Sequence, residues 1–264
     1  KNIIFHTPSM IVHTLFLRHL RQPRKLEIHP GCFHPRHFSA PGNPPSPPPP
    51  PMPPLGPSDD MDNAHRRHHV RSTARWAASI VAGQFLCPYA IPLSRRLDDD
   101  SPLLRIVSFS SSDDDAIVSA VRHEAELLVG PSSGAHLHET TLLVFDSTAV
   151  AKWDSLVRLS WKMQSDAIVA EGYGNLLQLV LFHPQAVHST YATTGEEDAA
   201  DFSIRSPFPT VHLLREEDVM RAVRGSEEAG GKMDLRGLPA KNKAKLRALG
   251  AQRCADKLAE CYRN

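Results

Sequence analysis

The chain has 264 residues, 41% of them apolar, and a formal charge of +1. A charge so near balance supplies no whole-molecule field for nucleic acid or an anionic membrane, and neither is expected as a partner. No run of about 18 apolar residues occurs, so no transmembrane helix is expected, and Cys32, Cys87, Cys254 and Cys261 are too scattered for a disulfide framework or a paired CxxC metal knuckle.

Residues 1–40 are basic, with Arg18, Arg21, Arg24, Lys25 and Arg36 against the single acid Glu27. An arginine-rich, acid-poor start has the composition of an organellar transit peptide. Two readings stand: a leader to chloroplast or mitochondrion, or an over-extended translation of the gene, which leaves the protein cytoplasmic. Residues 41–71 read as a disordered linker. Eleven prolines fall within 41–57, and proline fixes φ and removes a backbone donor, which favours an extended polyproline spacer. The HRRHH run at 65–69 reads as solvated chain ahead of the fold.

A single α/β domain is expected over 72–264. Ser72 or Thr73 can cap a helix that carries Trp76 and Ile80 at helical spacing and ends at Cys87-Pro88, because the residue before proline is pushed out of the α region. LLRIVSF at 103–109 reads as a strand. Asp113–Asp115 then place acids at a helix start, where they suit the dipole, and Ile117, Val121 and Leu128 mark its apolar face through Val129. TTLLVF at 140–145 is a second strand, followed by a helix from about Val150. LLQLVLF at 176–182 is a third strand, so continuously apolar that it reads as covered on both faces. Thr210 is placed as the cap of a helix over 212–223, with a flexible break at 225–231. A basic helix over 240–249 is stopped by Gly250, and a last helix spans 252–262. Strands separated by helices favour parallel pairing through right-handed crossovers. The expected fold is therefore a small, mostly parallel three-stranded sheet flanked by helices.

Ligands of open parallel sheets sit beyond the carboxyl ends of the strands. His183 ends the third strand, held by Pro184, and suits an imidazole poised near neutral pH; the alternative is a histidine bonded to a loop carbonyl. Arg205 stands on a support stiffened by Pro207 and Pro209. With the helix placed over 212–223, His212 and Arg215 share its first turn. Arg205, His212 and Arg215 then form a receptor for a phosphate or carboxylate, which arginine can grip with both arms. The alternative for Arg205 is an internal ion pair with Asp198 or Asp201. Cys87 is a candidate nucleophile, or else a small buried thiol, since the end of a helix does not stabilise a thiolate. No GxxxxGK[ST] or GxGxxG loop, GxSxG elbow or HExxH pair is present, so neither a cofactor nor a metal is expected.

LCPYA at 86–90, ETTLLVF at 139–145, FHP at 182–184, RSPFPTVHLLRE at 205–216 and LPAKNKAKLRALG at 238–250 occur in this order. Together they resemble the family called domain of unknown function 1415, over about residues 72–250. The resemblance implies positions rather than a reaction: Cys87, Pro88, His183, Arg205, Ser206, Pro207, His212, Arg215 and Asn242. Three positions depart from the family's pattern. Phe145-Asp146 stands in place of a His-Pro, Ile204 in place of an asparagine, and Lys241 in place of an arginine, which keeps the charge but loses the fork. The functional expectation is an enzyme acting on a small anionic metabolite, with His183, His212 and Cys87 as reactive groups and Arg205, Ser206, Arg215 and Asn242 as binding groups. The alternative is a non-catalytic module that binds an anion or a partner.

Overall fold

Four strands form one sheet in the order β1-β2-β4-β3: β1 Leu104–Phe109, β2 Thr140–Phe145, β3 Leu177–Phe182 and β4 Thr210–Arg215. The computed structural model describes residues 57–87, 90, 104–129, 140–188, 197–228 and 237–263. The expected leader at 1–40, the spacer up to residue 56 and the loop 130–138 lie outside the described residues. β1 pairs with β2 in parallel, and β4 pairs antiparallel with both β2 and β3. Hence β1, β2 and β3 point the same way, and β4 runs against them from a position between β2 and β3.

This corrects the three-stranded, mostly parallel sheet: the sheet is four-stranded and mixed. The fourth strand is the segment expected as the first turn of a helix. TVHLLR is a short apolar run, and periodicity alone does not separate a buried strand from a helix of that length. Its surroundings decide. β4 is covered on both faces, with Thr210, Val211, Leu213 and Leu214 all buried. The helix starts later, at Glu216, where Glu216, Glu217 and Asp218 fill its first turn and favour the positive end of the dipole. It then runs through Gly225 to Glu228, where a break had been expected.

Helices cover both faces of the sheet. On one face, Leu143, Phe145, Leu179, Leu181, Val211 and Leu213 pack against α2 (Asp114–Val129) and α3 (Trp153–Lys162). α2 starts where Asp113 Oδ2 accepts the Ala116 N–H at 2.9 Å and turns Ile117, Val121 and Leu128 inward. On the other face, Leu104, Ile106, Leu142 and Phe182 meet α1 (Pro57–Trp76), α5 (Leu238–Leu249) and α6 (Ala251–Glu260) through Trp76, Leu246 and Cys254. α1 extends back through HRRHH, which is therefore helical, and continues forward as a wider π-helical turn, Ala77–Ala82. The strand buried at every residue is β2. β3, expected to be covered on both faces, is an edge strand whose residues alternate between buried and half-buried. The helix Glu216–Glu228 is α4. Among the described residues, no helix is long and apolar enough to cross a membrane.

Leu213 has no exposure in the middle of β4, so Leu213→Ala should cost about 3 kcal/mol. Glu217→Ala, on the exposed side of α4, should change stability by less than about 0.5 kcal/mol. Urea denaturation of the two variants checks the placement of β4.

Candidate functional site

The carboxyl ends of β1, β2 and β3 and the amino end of β4 meet at one edge of the sheet. Beyond the end of β3, a 3-10 turn, Ala199–Ser203, packs against α5 and α6. Leu86 enters the same cluster with Ala199, Phe202 and Leu246. α5 grips the Gln84–Cys87 turn at two carbonyls. Asn242 Nδ2 donates to Leu86 O at 2.6 Å, and Lys245 Nζ donates to Gln84 O at 2.8 Å. Between these carbonyls Phe85 holds a positive φ of 55°. For a bulky side chain this left-handed backbone costs about 1–2 kcal/mol, and the ring is 61% exposed. Lys245 Nζ stands 5.6 Å from its centroid. Cys87, half-buried, is thus fixed beside α5.

Arg205 lies behind this corner. Its Nε donates to Ala186 O at 3.1 Å, one terminal nitrogen pairs with Glu197, the other stands 3.9 Å from Asp201 Oδ2, and its guanidinium carbon lies 4.6 Å over the Phe202 ring. Burial pushes the Asp201 carboxyl up, against the opposing pull of the His188 backbone N–H, Arg205 and Lys243. Its neighbour Asp198 caps the 3-10 turn through the Ala200 N–H and takes both arms of Arg247 at 3.0 and 2.6 Å. The Arg247 contact pulls Asp198 down to about 2. Ser206 is buried and donates to Phe208 O at 2.5 Å, where Thr210 Oγ1 also donates at 2.8 Å, which closes the Ser-Pro-Phe-Pro turn. By contrast, Lys241 and Lys243 on α5 form no salt bridge among the described residues, and of the two only Lys243 acts on an acid of this region, Asp201.

Comparison with known families finds one match, to the description "Protein of unknown function (DUF1415)", over residues 68–256. The chain belongs to this family. No curated protein and no solved structure matches it. The DUF1415 match begins four residues before the expected domain start, so it includes His68 and His69 on α1. The Ile204 side chain is buried in the core against α2 and α3, and its carbonyl accepts the His183 N–H at 3.2 Å.

The expected receptor of Arg205, His212 and Arg215 at one helix start is not formed, because the last two lie on β4. Arg215 ends that strand opposite Leu177, at the other edge of the sheet from His183, and pairs with the buried Asp218. His212 lies in mid-strand. Thr140 Oγ1 donates to Leu213 O at 2.7 Å, so His212 Nε2 must donate to Thr140 Oγ1, 2.6 Å away. Burial pushes His212 down to about 3. At His183 the Gln185 N–H donates to Nδ1 at 3.0 Å, which leaves the proton on Nε2 to donate to Val150 O at 3.1 Å. Burial pushes this histidine down, and the carbonyl contacts offset part of the shift. Of the expected site residues, Asn242 is bonded beside Cys87 at the turn, Arg205 and Ser206 lie in the segment ahead of β4, and His183 is a neutral strut against Val150.

One group was missed in the sequence. His69 is buried on α1, its Nδ1 is 3.2 Å from Ser108 Oγ at the end of β1, and its ring centroid is 4.3 Å from that of Phe208. Burial pushes it down, and Asp146 at the end of β2 opposes the shift. The signal lay in the register: residues 69, 72, 73 and 76 fall on one helix face, the face that the structure buries. Among the described residues, no group of three or more His, Cys, Asp and Glu side chains could hold a metal.

Removing Arg205 leaves the buried Asp201 without its cation. Arg205→Ala should therefore destabilise the fold by about 2–3 kcal/mol, short of the 3–5 kcal/mol typical of fully buried pairs. Melting of the variant beside Arg205→Lys measures it. The three histidines set the pH response. His69, His183 and His212 all titrate lower folded than unfolded, so the unfolded chain binds more protons below its histidine pKa of about 6.5. Stability should hold above that pH and fall below it, by up to about 1.4 kcal/mol per pH unit for each histidine. His212→Gln should lessen the loss of stability between about pH 7.5 and pH 5.

Proposed function

We propose that this DUF1415 domain is a binding module for a small anionic metabolite bearing a phosphate or carboxylate, seated where α5 faces the Gln84–Cys87 turn. The observation that carries this reading is an imbalance of charge on rigid support. The acids of the 3-10 turn region are met by arginines: Glu197 and Asp201 share Arg205, and Asp198 pairs with Arg247. Lys241 makes no ion pair among the described residues, on a helix whose Asn242 and Lys245 are bonded to the neighbouring turn. A mobile anion completes such a set at little ordering cost, because the donors are already placed. Arg205 and Ser206 serve this reading as supports, Arg205 by neutralising the acids and Ser206 by closing the turn ahead of β4.

A second reading is favoured by one observation. His69 faces a serine hydroxyl at the sheet edge where ligands of such folds collect, with Asp146 in electrostatic reach. In an enzyme acting on the same class of metabolite, His69 rather than His183 would move the proton. Turnover that survived His69→Gln would exclude that role.

The test is a thermal-shift series on the full chain with phosphate, sulfate and small carboxylates, beside Lys241→Ala. A saturable rise in melting temperature, at least halved in Lys241→Ala and kept in Arg158→Ala on α3, is expected. An anion at about 100 times its Kd should stabilise by about 2.7 kcal/mol. No shift with any anion would end the reading.

A further inference from the structure

Phe85 sits badly by the rules that place residues in folds. Its backbone is left-handed, a conformation that glycine and asparagine adopt with least strain. Its ring is mostly in water, so burial does not offset the strain. The turn cannot relax to relieve it. Phe85 N–H donates to Ala82 O and Leu86 N–H to Val81 O, both at 2.9 Å, while Asn242 and Lys245 hold the two flanking carbonyls. Gly83, two residues earlier, has no room for a Cβ against the Ser79 carbonyl. An exposed phenyl ring is therefore held in place at a position where a small polar residue would fold better. Strain that persists in a fixed turn at the surface belongs to binding elements more often than to packing.

The surroundings say what the ring would meet. The Lys245 ammonium stands over it. Lys241 lies one turn earlier on the same side of α5, about 6 Å away at Cβ, exposed and with no carboxylate partner among the described residues. A flat aromatic face next to two ammonium groups suits a ligand with a planar ring at one end and an anion at the other. We propose that this surface binds a nucleoside monophosphate, with its base stacked on Phe85 and its phosphate held between Lys241 and Lys245. This rests on the anion-binding reading above and names its ligand class. Stacking recognises any base by its flat face, so the proposal selects nucleotides as a class and not one base.

The experiment is calorimetric titration of the full chain with AMP, ribose 5-phosphate and inorganic phosphate, for the wild type and for Phe85→Asn, Phe85→Leu and Lys241→Ala. AMP should bind about tenfold more tightly than ribose 5-phosphate, the difference being the stacked base. Phe85→Asn should erase that difference while raising the melting temperature by about 2–4 °C, because asparagine relieves the backbone strain. Phe85→Leu should erase it with no such rise, since leucine keeps the strain and loses the ring. Lys241→Ala should weaken AMP and ribose 5-phosphate alike. Equal binding of the two esters by the wild type, or an AMP preference that survives Phe85→Asn, overturns the proposal. If phosphate still binds in that case, the anion site stands without it. If no phosphate compound binds at all, this proposal falls, and the anion-binding reading falls with it only if small carboxylates fail to bind as well.

Discussion

The structure depends on β4 lying between β2 and β3. β3 joins the sheet through β4, and its side chains meet α3 only because that ladder holds it in plane. The same antiparallel placement sends the amino end of β4 to the edge where β1, β2 and β3 end. The Arg205–Pro209 turn therefore sits beside His183, and Arg215 is carried to the far edge. Had the segment been helical, Arg205, His212 and Arg215 could have shared a site. As a strand it spreads them along its length, at about 3.4 Å per residue.

Around that edge the domain neutralises charge locally. Each acid near the 3-10 turn has an arginine, and each arginine is also anchored, Arg205 to a carbonyl and an aromatic face and Arg247 by both arms to Asp198. The lysines of α5 follow another rule. Lys245 bonds a carbonyl, while Lys241 and Lys243 form no salt bridge among the described residues. An ammonium group is a compact point charge with rotatable donors, so these side chains can turn toward an arriving anion without breaking an ion pair.

Local chemistry made much of this legible in the sequence. The start of α2 could be read because Asp113 caps it and Ile117, Val121 and Leu128 repeat at helical spacing; β1 and β2 could be read as bounded apolar runs. The ion pair of Arg205 with Asp201 was one of the two alternatives its position allowed. β4 was not legible, because Thr210 fits a helix cap and a strand start equally well and the acids after Arg215 fit the helix one step later. His69 was hidden for a different reason. HRRHH is mostly solvated, and only tertiary contact with Ser108 and Phe208 selects one of its histidines for burial. The strain at Phe85 has no sequence signature at all, since it follows from the path the backbone takes between two carbonyls held by α5.

The corner of α5 and the Gln84–Cys87 turn is proposed as the place where this domain meets an anion, and amide hydrogen exchange of the full chain, with and without saturating pyrophosphate, can locate the contact. Added protection should be confined to residues 81–87 and 238–247, with α2 and α3 unchanged. Protection centred instead on residues 65–76 and 108–113 would place the ligand against His69 and Ser108 and contradict it.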